Sequence, residues 1–237
     1  MLVNYPHLYL GSTRDRYCNW QFLEYLKNRY GYAIINDLWA KAPKPGDPAQ
    51  RSADPFTVIR TNMGWTQSQL NDVFGDWALR NVNWDYTNPD GSDQGALYRA
   101  RYGGNASFDP QRNQDWDNRD RALRMTVLDP VAGQANRYRV PFEWAPQRWG
   151  YNLVQLIPAS GATSFTVAFE GQVQSAPAVT TLPGLATDPA SIPLPDSDWR
   201  WGVVSIDSGG RARYSALQRG AKASVNVTRN SGDRAVY

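Results

Sequence analysis

Apolar residues recur at helical spacing through the N-terminal part of the chain. Ser12 or Thr13 can cap a first helix, because a hydroxyl accepts hydrogen bonds from the unpaired amides of a first turn. The apolar positions of this helix run through residues 17–30, and Gly31 follows where a glycine cap is expected. Residues 33–39 predict a second, shorter helix.

Two later helices carry specific start signals. Asp54 followed by Pro55 predicts a helix start, and Gly64 predicts the end of that helix. Thr66 with Gln69 three residues later forms a capping-box pattern, which predicts that another helix begins there. The apolar stripe of this helix consists of Leu70, Val73, Phe74, Trp77 and Leu79.

Beyond residue 104 the pattern changes to short, strand-like runs bounded by proline, glycine and asparagine. Residues 94–102 predict a short helix before this change, and residues 175–197 predict a long surface excursion after it. Ser208-Gly209-Gly210 suits a hairpin turn. The predicted strands are residues 123–128, 138–142, 153–157, 164–170, 199–206, 211–217 and 223–228.

These elements predict an α+β fold in two parts. Residues 1–104 form a helical segment, and residues 105–237 form a β-sandwich or jelly-roll-like domain. The last residues, 233–237, predict a turn followed by the opening of another strand, so we expect a chain that is truncated at its C-terminus.

Composition narrows the class of partner. Aromatic residues make up 13% of the chain, with ten Trp and thirteen Tyr, and such rings suit cores, carbohydrate platforms and interfaces. Most of them are expected in the core. The net charge is only +3, and the basic residues are interleaved with Asp, so we expect no nucleic-acid partner. The sequence has no apolar run long enough for a membrane span, and its first residues do not form a signal peptide.

The chain has one histidine, His7, and one cysteine, Cys18. These counts exclude an internal disulfide, a cysteine-rich metal site and the His-Glu-x-x-His motif of zinc peptidases. No Gly-x-Ser-x-Gly motif is present either. We therefore predict no catalytic, cofactor-binding or metal-ligating residue, with His7 in a structural role and Cys18 as a small buried side chain.

Carboxylates offer two further possibilities. A small hydrolase needs only two of them, and Glu24, Glu143 and Glu170 are the glutamates of the chain, but their spacing says nothing about geometry. The Asp-rich segment 109–120 has oxygen ligands for calcium without the spacing of an EF-hand, so a solvated loop is the preferred interpretation. Residues 88–93 are likewise predicted as a turn rather than an ion site.

Two segments carry a resemblance to a known family. They are YLGSTRDRYCNWQFLEYL at residues 9–26, continuing to Tyr30-Gly31, and APQRWGYN at residues 145–152, followed by Leu156-Ile157-Pro158. Both resemble the secreted bacterial proteins of the Svx/AvrXca virulence and avirulence type, and the resemblance covers essentially the whole chain. It implies a bacterial zinc-metallopeptidase-like architecture in which the zinc helix precedes the first segment and a β-rich domain follows it.

From this resemblance we expect a chain truncated at both ends, in which residues 1–104 are the remnant of a metallopeptidase-like domain. The leading hypothesis is therefore the C-terminal portion of a secreted virulence protein that is inactive alone. Zinc is implied only for full-length relatives, and no ligand carries over to this chain. The alternatives are a non-catalytic carbohydrate-binding or adhesion module and a carboxylate-based hydrolase. The expected partner is an extracellular protein or a glycan.

Overall fold

A computed structural model describes residues 6–8, 10, 20–48, 54–102, 125–147, 149–171, 196–230, 232–233 and 235–237. Within these residues the helices are α1 (Trp20–Tyr30), α2 (Tyr32–Ala40), α3 (Pro55–Met63), α4 (Gln67–Asn81) and α5 (Gln94–Tyr102). The strands are β1 (Asp129–Pro130), β2 (Tyr138–Arg139), β3 (Ser164–Glu170), β4 (Arg200–Trp201), β5 (Val204–Ile206), β6 (Ala212–Tyr214), β7 (Gln218–Arg219), β8 (Lys222–Thr228) and β9 (Ala235–Val236). The fold is therefore of the mixed α+β class.

The helix boundaries follow the local capping signals. Asp54 Oδ1 accepts a hydrogen bond from the Thr57 amide at 3.0 Å, and Gly64 ends α3 in the left-handed region with φ 65°. Thr66 and Gln69 exchange both hydrogen bonds of the capping box at the start of α4. The predicted limits of α3 and α5 and the predicted start of α4 are confirmed, whereas the predicted start of the first helix lies outside the described residues.

A dense aromatic core lies beneath α4. The Trp77 side chain is fully buried, and the ring centroids of Phe22 and Phe74 lie 5.2 and 5.1 Å from its own. Phe56 stacks on Trp149 with centroids 4.4 Å apart and planes only 8° from parallel. The same cluster contains buried residues of the strands, such as Val204, so it joins the two predicted parts of the chain. A domain boundary at residue 104 stays a prediction.

Polar groups hold α4 to the strands as well. Arg200 of β4 donates from Nε to Asp72 Oδ1 at 2.5 Å, although the arginine side chain is only 5% exposed. The Arg200 guanidinium also donates to the Ser68 carbonyl oxygen. Arg219 of β7 donates to the carboxylate of Asp72 as well. Burial works to raise the pKa of Asp72, but the hydrogen bonds and charges of the two arginines outweigh burial and lower it.

Every strand pair within the described residues is antiparallel. β3 pairs with β8 along seven residues, β1 with β2 and β4 with β7, while β5 lies between β6 and β9. Phe165, Val167 and Val225 pack on a second, smaller cluster of buried residues that includes Val227 of β8. This arrangement confirms β3 and β8 almost residue for residue, because both strands have a long alternating pattern.

One predicted hairpin contains a β-bulge. β5 and β6 are joined by a turn at residues 207–211, where the Asp207 amide donates to the Arg211 carbonyl at 3.0 Å. The Ser-Gly-Gly sequence predicted this turn. Val204 faces Tyr214, but Arg200 faces Arg219, so three residues (215–217) oppose two (202–203). The single strands predicted over 199–206 and 211–217 are therefore wrong. The first is divided into β4 and β5, and the second contains only β6, because residues 215–217 form the bulge and β7 begins beyond them.

Three other predicted strands need correction. Residues 125–128 lie before β1 rather than forming a ladder, and the strand at Tyr138 ends at Arg139, because Phe142–Trp144 is a 3-10 helix. Residues 153–157 contain only one isolated bridge, between Leu156 and Val236. Several apolar residues of these runs are exposed, Phe142 and Ile157 most of all, so the runs do not form strands with one buried side.

Candidate binding site

His7 lies in a structural position. The residue is 7% exposed, its ring is 4.5 Å from that of Trp144 between centroids, and its carbonyl accepts a hydrogen bond from the Gln147 amide at 2.7 Å. Gly150 approaches it so closely that an added Cβ would come within 2.3 Å of the His7 carbonyl oxygen. His7 thus packs the first described residues against the segment around residue 147.

The three glutamates lie in different environments. Glu24 on α1 pairs with Lys27 at 2.5 Å, as its spacing indicates, and Glu143 is exposed on the short 3-10 helix. Glu170 ends β3 and pairs with Arg137 and Lys222 at 3.1 and 3.5 Å, with more than half of its side chain exposed. These contacts give none of the three the environment of a catalytic acid, and a hydrolase role stays a prediction without support.

The described residues do not fit a zinc site. No group of three or more His, Cys, Asp and Glu side chains that suits a metal ion lies within them. Cys18 and the Asp-rich segment 109–120 fall outside the described residues. Residues 88–93 form the predicted turn, in which the Asn88 amide donates to the Ser92 carbonyl at 2.8 Å.

Two carboxylates meet around Arg80 at the edge of the core. Tyr25 donates its hydroxyl to Asp76 at 2.7 Å, and Tyr214 donates to Asp85 at 2.9 Å. Arg80 contacts Asp85 at 2.8 Å and Asp76 at 3.5 Å, and its guanidinium lies over the Tyr214 ring. Each carboxylate is therefore held by a hydroxyl and a guanidinium, which suits a clamp between α1, α4 and β6 better than a reactive acid–base pair.

Electrostatics agree with a structural role for this cluster. Burial, and then the charge of the neighbouring carboxylate, raise the pKa of Tyr25 and of Tyr214 above the ordinary value of a phenol. Both hydroxyls therefore stay protonated donors through the physiological range. A raised pKa makes neither tyrosine a general base at neutral pH, where catalysis of that kind needs a group that exchanges its proton readily.

The outward side of α2 is an aromatic surface with an unusual composition. Its exposed residues are Tyr32, Ala33, Asn36, Trp39 and Ala40, which follow one another at helical spacing along one face. The Tyr32 side chain is 62% exposed and the Trp39 side chain 75%. We call these five residues the α2 outer face. A surface helix usually has charged residues on its outer side, and this face has none.

The opposite side of α2 anchors the helix. Ile34 is 4% exposed, and Ile35 and Leu38 pack partly buried against the main core. Asn62 of α3 donates to the Asp37 carbonyl at 3.1 Å, which fixes the C-terminal half of α2. The aliphatic stripe therefore turns inward, and the aromatic residues are presented to solvent by a helix that is held in place.

Sequence reasoning predicted this helix but did not identify its outer face. The signal was available, because Tyr32, Asn36 and Trp39 are spaced i, i+4, i+7. The segment contains two apolar stripes, however, and spacing alone does not say which one faces the core. None of the helices in the described part of the chain has both the length and the apolar character that a membrane span needs.

Comparison with known proteins yields one match. A family model described as "Family of unknown function (DUF6055)" matches residues 1–237. No curated protein matches the chain, and no solved structure does.

Proposed function

The chain belongs to the DUF6055 family, and we propose that it is the binding portion of a secreted, metallopeptidase-like virulence protein. The α2 outer face carries this proposal. Tyr32 and Trp39 expose large apolar rings on a helix that is fixed from behind, and exposed aromatic side chains of this kind mark binding surfaces. An extracellular glycan or protein is the partner that the proposal assigns to this face.

The resemblance to the Svx/AvrXca type supplies the secreted, metallopeptidase-like part of the proposal. Its second segment, residues 145–152, builds the core: Trp149 stacks on Phe56, and the Tyr151 hydroxyl accepts a hydrogen bond from Asn81. A motif with this role supports a shared architecture and not a shared chemistry. A sandwich arrangement of the β-rich part belongs to the proposal as well.

We assign this chain a non-catalytic role, because its sequence has one histidine and no His-Glu-x-x-His motif. We expect the 237-residue chain to cleave no protein substrate such as casein, with or without added zinc chloride. Peptidase activity that appears on zinc addition and disappears with a chelator would contradict a purely binding role.

A retention assay tests the binding role directly. The chain is incubated with insoluble polysaccharides and, separately, with washed eukaryotic cells, and the bound fraction is measured after sedimentation. We expect retention by at least one of these surfaces, and the protein should occur in the culture medium of the source bacterium. Absence of retention by every surface would contradict the proposal.

A stand-alone carbohydrate-binding or adhesion module is the second candidate, favoured by the same exposed rings. The two candidates differ in what the complete gene product does. A product that contains a zinc-binding motif and cleaves protein supports the first, and a product that only binds supports the second.

A further inference from the structure

We propose that the α2 outer face binds a neutral, extended β-1,4-linked glycan, with one sugar on Tyr32 and another on Trp39. This inference rests on the proposed binding function and names the ligand class and its contact residues. Three features of the face support it: the separation of the rings, the small or amide residues around them, and the absence of charge.

The separation of the two rings suits a repeating polymer. Tyr32 and Trp39 are seven residues apart, which is nearly two helical turns, so they lie on the same side about 10.5 Å apart along the axis. In an extended β-1,4-linked chain each sugar is rotated by about half a turn relative to the last, so every second sugar presents the same face. Two helix positions at this spacing match sugars one and three.

The alanines beside the rings leave room for stacking, while Lys27 Nζ lies over one face of the Tyr32 ring at 5.7 Å from its centre. Ala33 and Ala40 follow the two aromatic residues on the exposed side and have no side chain that would cover a ring face. The apolar C–H face of a pyranose packs against the electron-rich face of an aromatic ring. Asn36 lies between the rings and is exposed, and its amide has both a donor and an acceptor for sugar hydroxyls.

Charge on and around the face favours a neutral ligand. The five residues of the face are uncharged, and the nearest charges are compensated: Asp37 pairs with Lys41 at 2.7 Å, and Lys27, whose Nζ lies 5.7 Å from the centre of the Tyr32 ring, pairs with Glu24. Each of these charges has an opposite partner, which weakens its attraction for an anionic or a cationic polymer. Uncharged glucose or N-acetylglucosamine polymers therefore fit better than acidic ones.

The size of the surface favours a glycan over a protein. An aromatic side chain buries about 150–250 Å² when it is covered, so two rings supply at most about 500 Å². A stable protein interface needs about 800 Å² per partner, with its apolar anchors grouped at the centre. Here a polar residue, Asn36, separates Tyr32 from Trp39, which makes two platforms rather than one apolar patch.

Calorimetric titration of the 237-residue chain with cellotetraose and chitotetraose tests this assignment. We expect saturable binding of at least one of them, and Trp39→Ala and Tyr32→Ala should each weaken it about tenfold or more. Phe142→Ala is the matched control, because Phe142 is 94% exposed on the 3-10 helix far along the chain and should leave affinity unchanged. Trp39→Phe keeps a ring and should retain part of the affinity.

Ligand length and linkage give a second readout. Cellobiose reaches only one of the two rings and should bind at least about tenfold more weakly than cellotetraose. Maltotetraose, whose α-1,4 linkages curve the chain, should bind weakly as well. Equal affinity for all of these sugars would overturn the two-platform geometry.

The outcomes separate this inference from the proposed function. Tetrasaccharide binding that persists unchanged in Trp39→Ala and Tyr32→Ala overturns the α2 site and leaves a binding role intact. Retention by cells or by acidic polysaccharide without any tetrasaccharide binding overturns the neutral-glycan assignment alone. Absence of retention by every surface overturns both. Circular dichroism and thermal unfolding confirm that the variants fold, as expected for substitutions of exposed side chains.

Discussion

Replacement of Asn81 by leucine should destabilise the protein through two tyrosines that the substitution does not touch. Asn81 is fully buried at the end of α4. The Tyr86 hydroxyl donates to the side-chain oxygen Asn81 Oδ1 and accepts from Trp77 Nε1 at 3.2 Å. The Asn81 amide nitrogen donates to the Tyr151 hydroxyl at 3.1 Å. In Asn81→Leu both hydroxyls lose this partner, and a buried unpaired polar group costs about 1–3 kcal/mol.

The loss expected for Asn81→Leu is therefore about 2–4 kcal/mol, since the leucine returns some apolar burial. For a chain of 237 residues each kcal/mol lowers the melting temperature by about 2–4 °C, so a decrease of roughly 5–15 °C follows. Burial also raises the pKa of Tyr86 and of Tyr151, so neither hydroxyl can lower the cost by ionising at neutral pH.

A double-mutant cycle with Tyr151→Phe is the decisive assay. In the native background this substitution leaves the Asn81 amide unpaired and should cost about 1–3 kcal/mol. In the Asn81→Leu background it removes an unpaired hydroxyl and should be neutral or stabilising. Urea unfolding of the four proteins should give a coupling energy of about 1–3 kcal/mol. Tyr138→Phe, at an exposed position, is the control for loss of a hydroxyl.

Additive effects within about 0.5 kcal/mol would refute this account, because independent sites behave that way. A loss of stability for Tyr138→Phe as large as that for Tyr151→Phe would refute this account too. The first result would mean that the leucine repacks the site, and the second that the cost does not come from burial of the hydroxyl.

Three further predictions concern caps and titration. Asp54→Ala removes the N-cap of α3 and should lower the free energy of unfolding by about 1 kcal/mol, as thermal unfolding would measure. Asp54→Ser keeps a capping oxygen and should retain most of the stability. Equal losses for the two variants would contradict the capping role. The lowered pKa of Asp72 means that its stabilisation is present above the unfolded value of about 4 and is lost as pH falls through the folded value. Asp72→Asn should therefore flatten the fall in unfolding free energy between about pH 5 and 2, and parallel profiles would count against the arginine pairing. Burial raises the pKa of Tyr237 to about 12, so the stabilisation from its protonated hydroxyl is complete below about pH 10 and is lost as pH rises towards 12. Tyr237→Phe should therefore make the fall of unfolding free energy at alkaline pH less steep. An unchanged slope would contradict burial of the hydroxyl as its cause.

The helices were predictable because their signals are local. Asp54, Gly64, Thr66 and Gln69 act within one turn of the residues that they cap, and the structure places each in the expected geometry. The long strands β3 and β8 were predictable for a related reason, since seven alternating residues specify a buried side without reference to the rest of the chain.

The bulge in the β4–β7 hairpin was not predictable, because its cause is tertiary. Gly202 lies against Leu79 of α4, and an added Cβ there would come within 3.0 Å of Leu79 Cδ1. The Val203 amide donates to Ser215 Oγ at 2.9 Å instead of to a backbone carbonyl. Neither contact changes the local pattern of apolar and polar residues. The pattern therefore predicted two continuous strands where the structure has a bulge beside α4.

The candidate site shows the same division between local and tertiary causes. Within α2 the aliphatic stripe of Ile34, Ile35 and Leu38 and the aromatic stripe of Tyr32 and Trp39 are both apolar, and a helix that is apolar on all sides normally indicates complete burial. Packing against the core selects the aliphatic stripe, whose side chains fill the space beside α1 and α3. The two rings then remain in water, where they contribute little to folding and favour association. Under the proposed function, these are the two rings that the ligand covers.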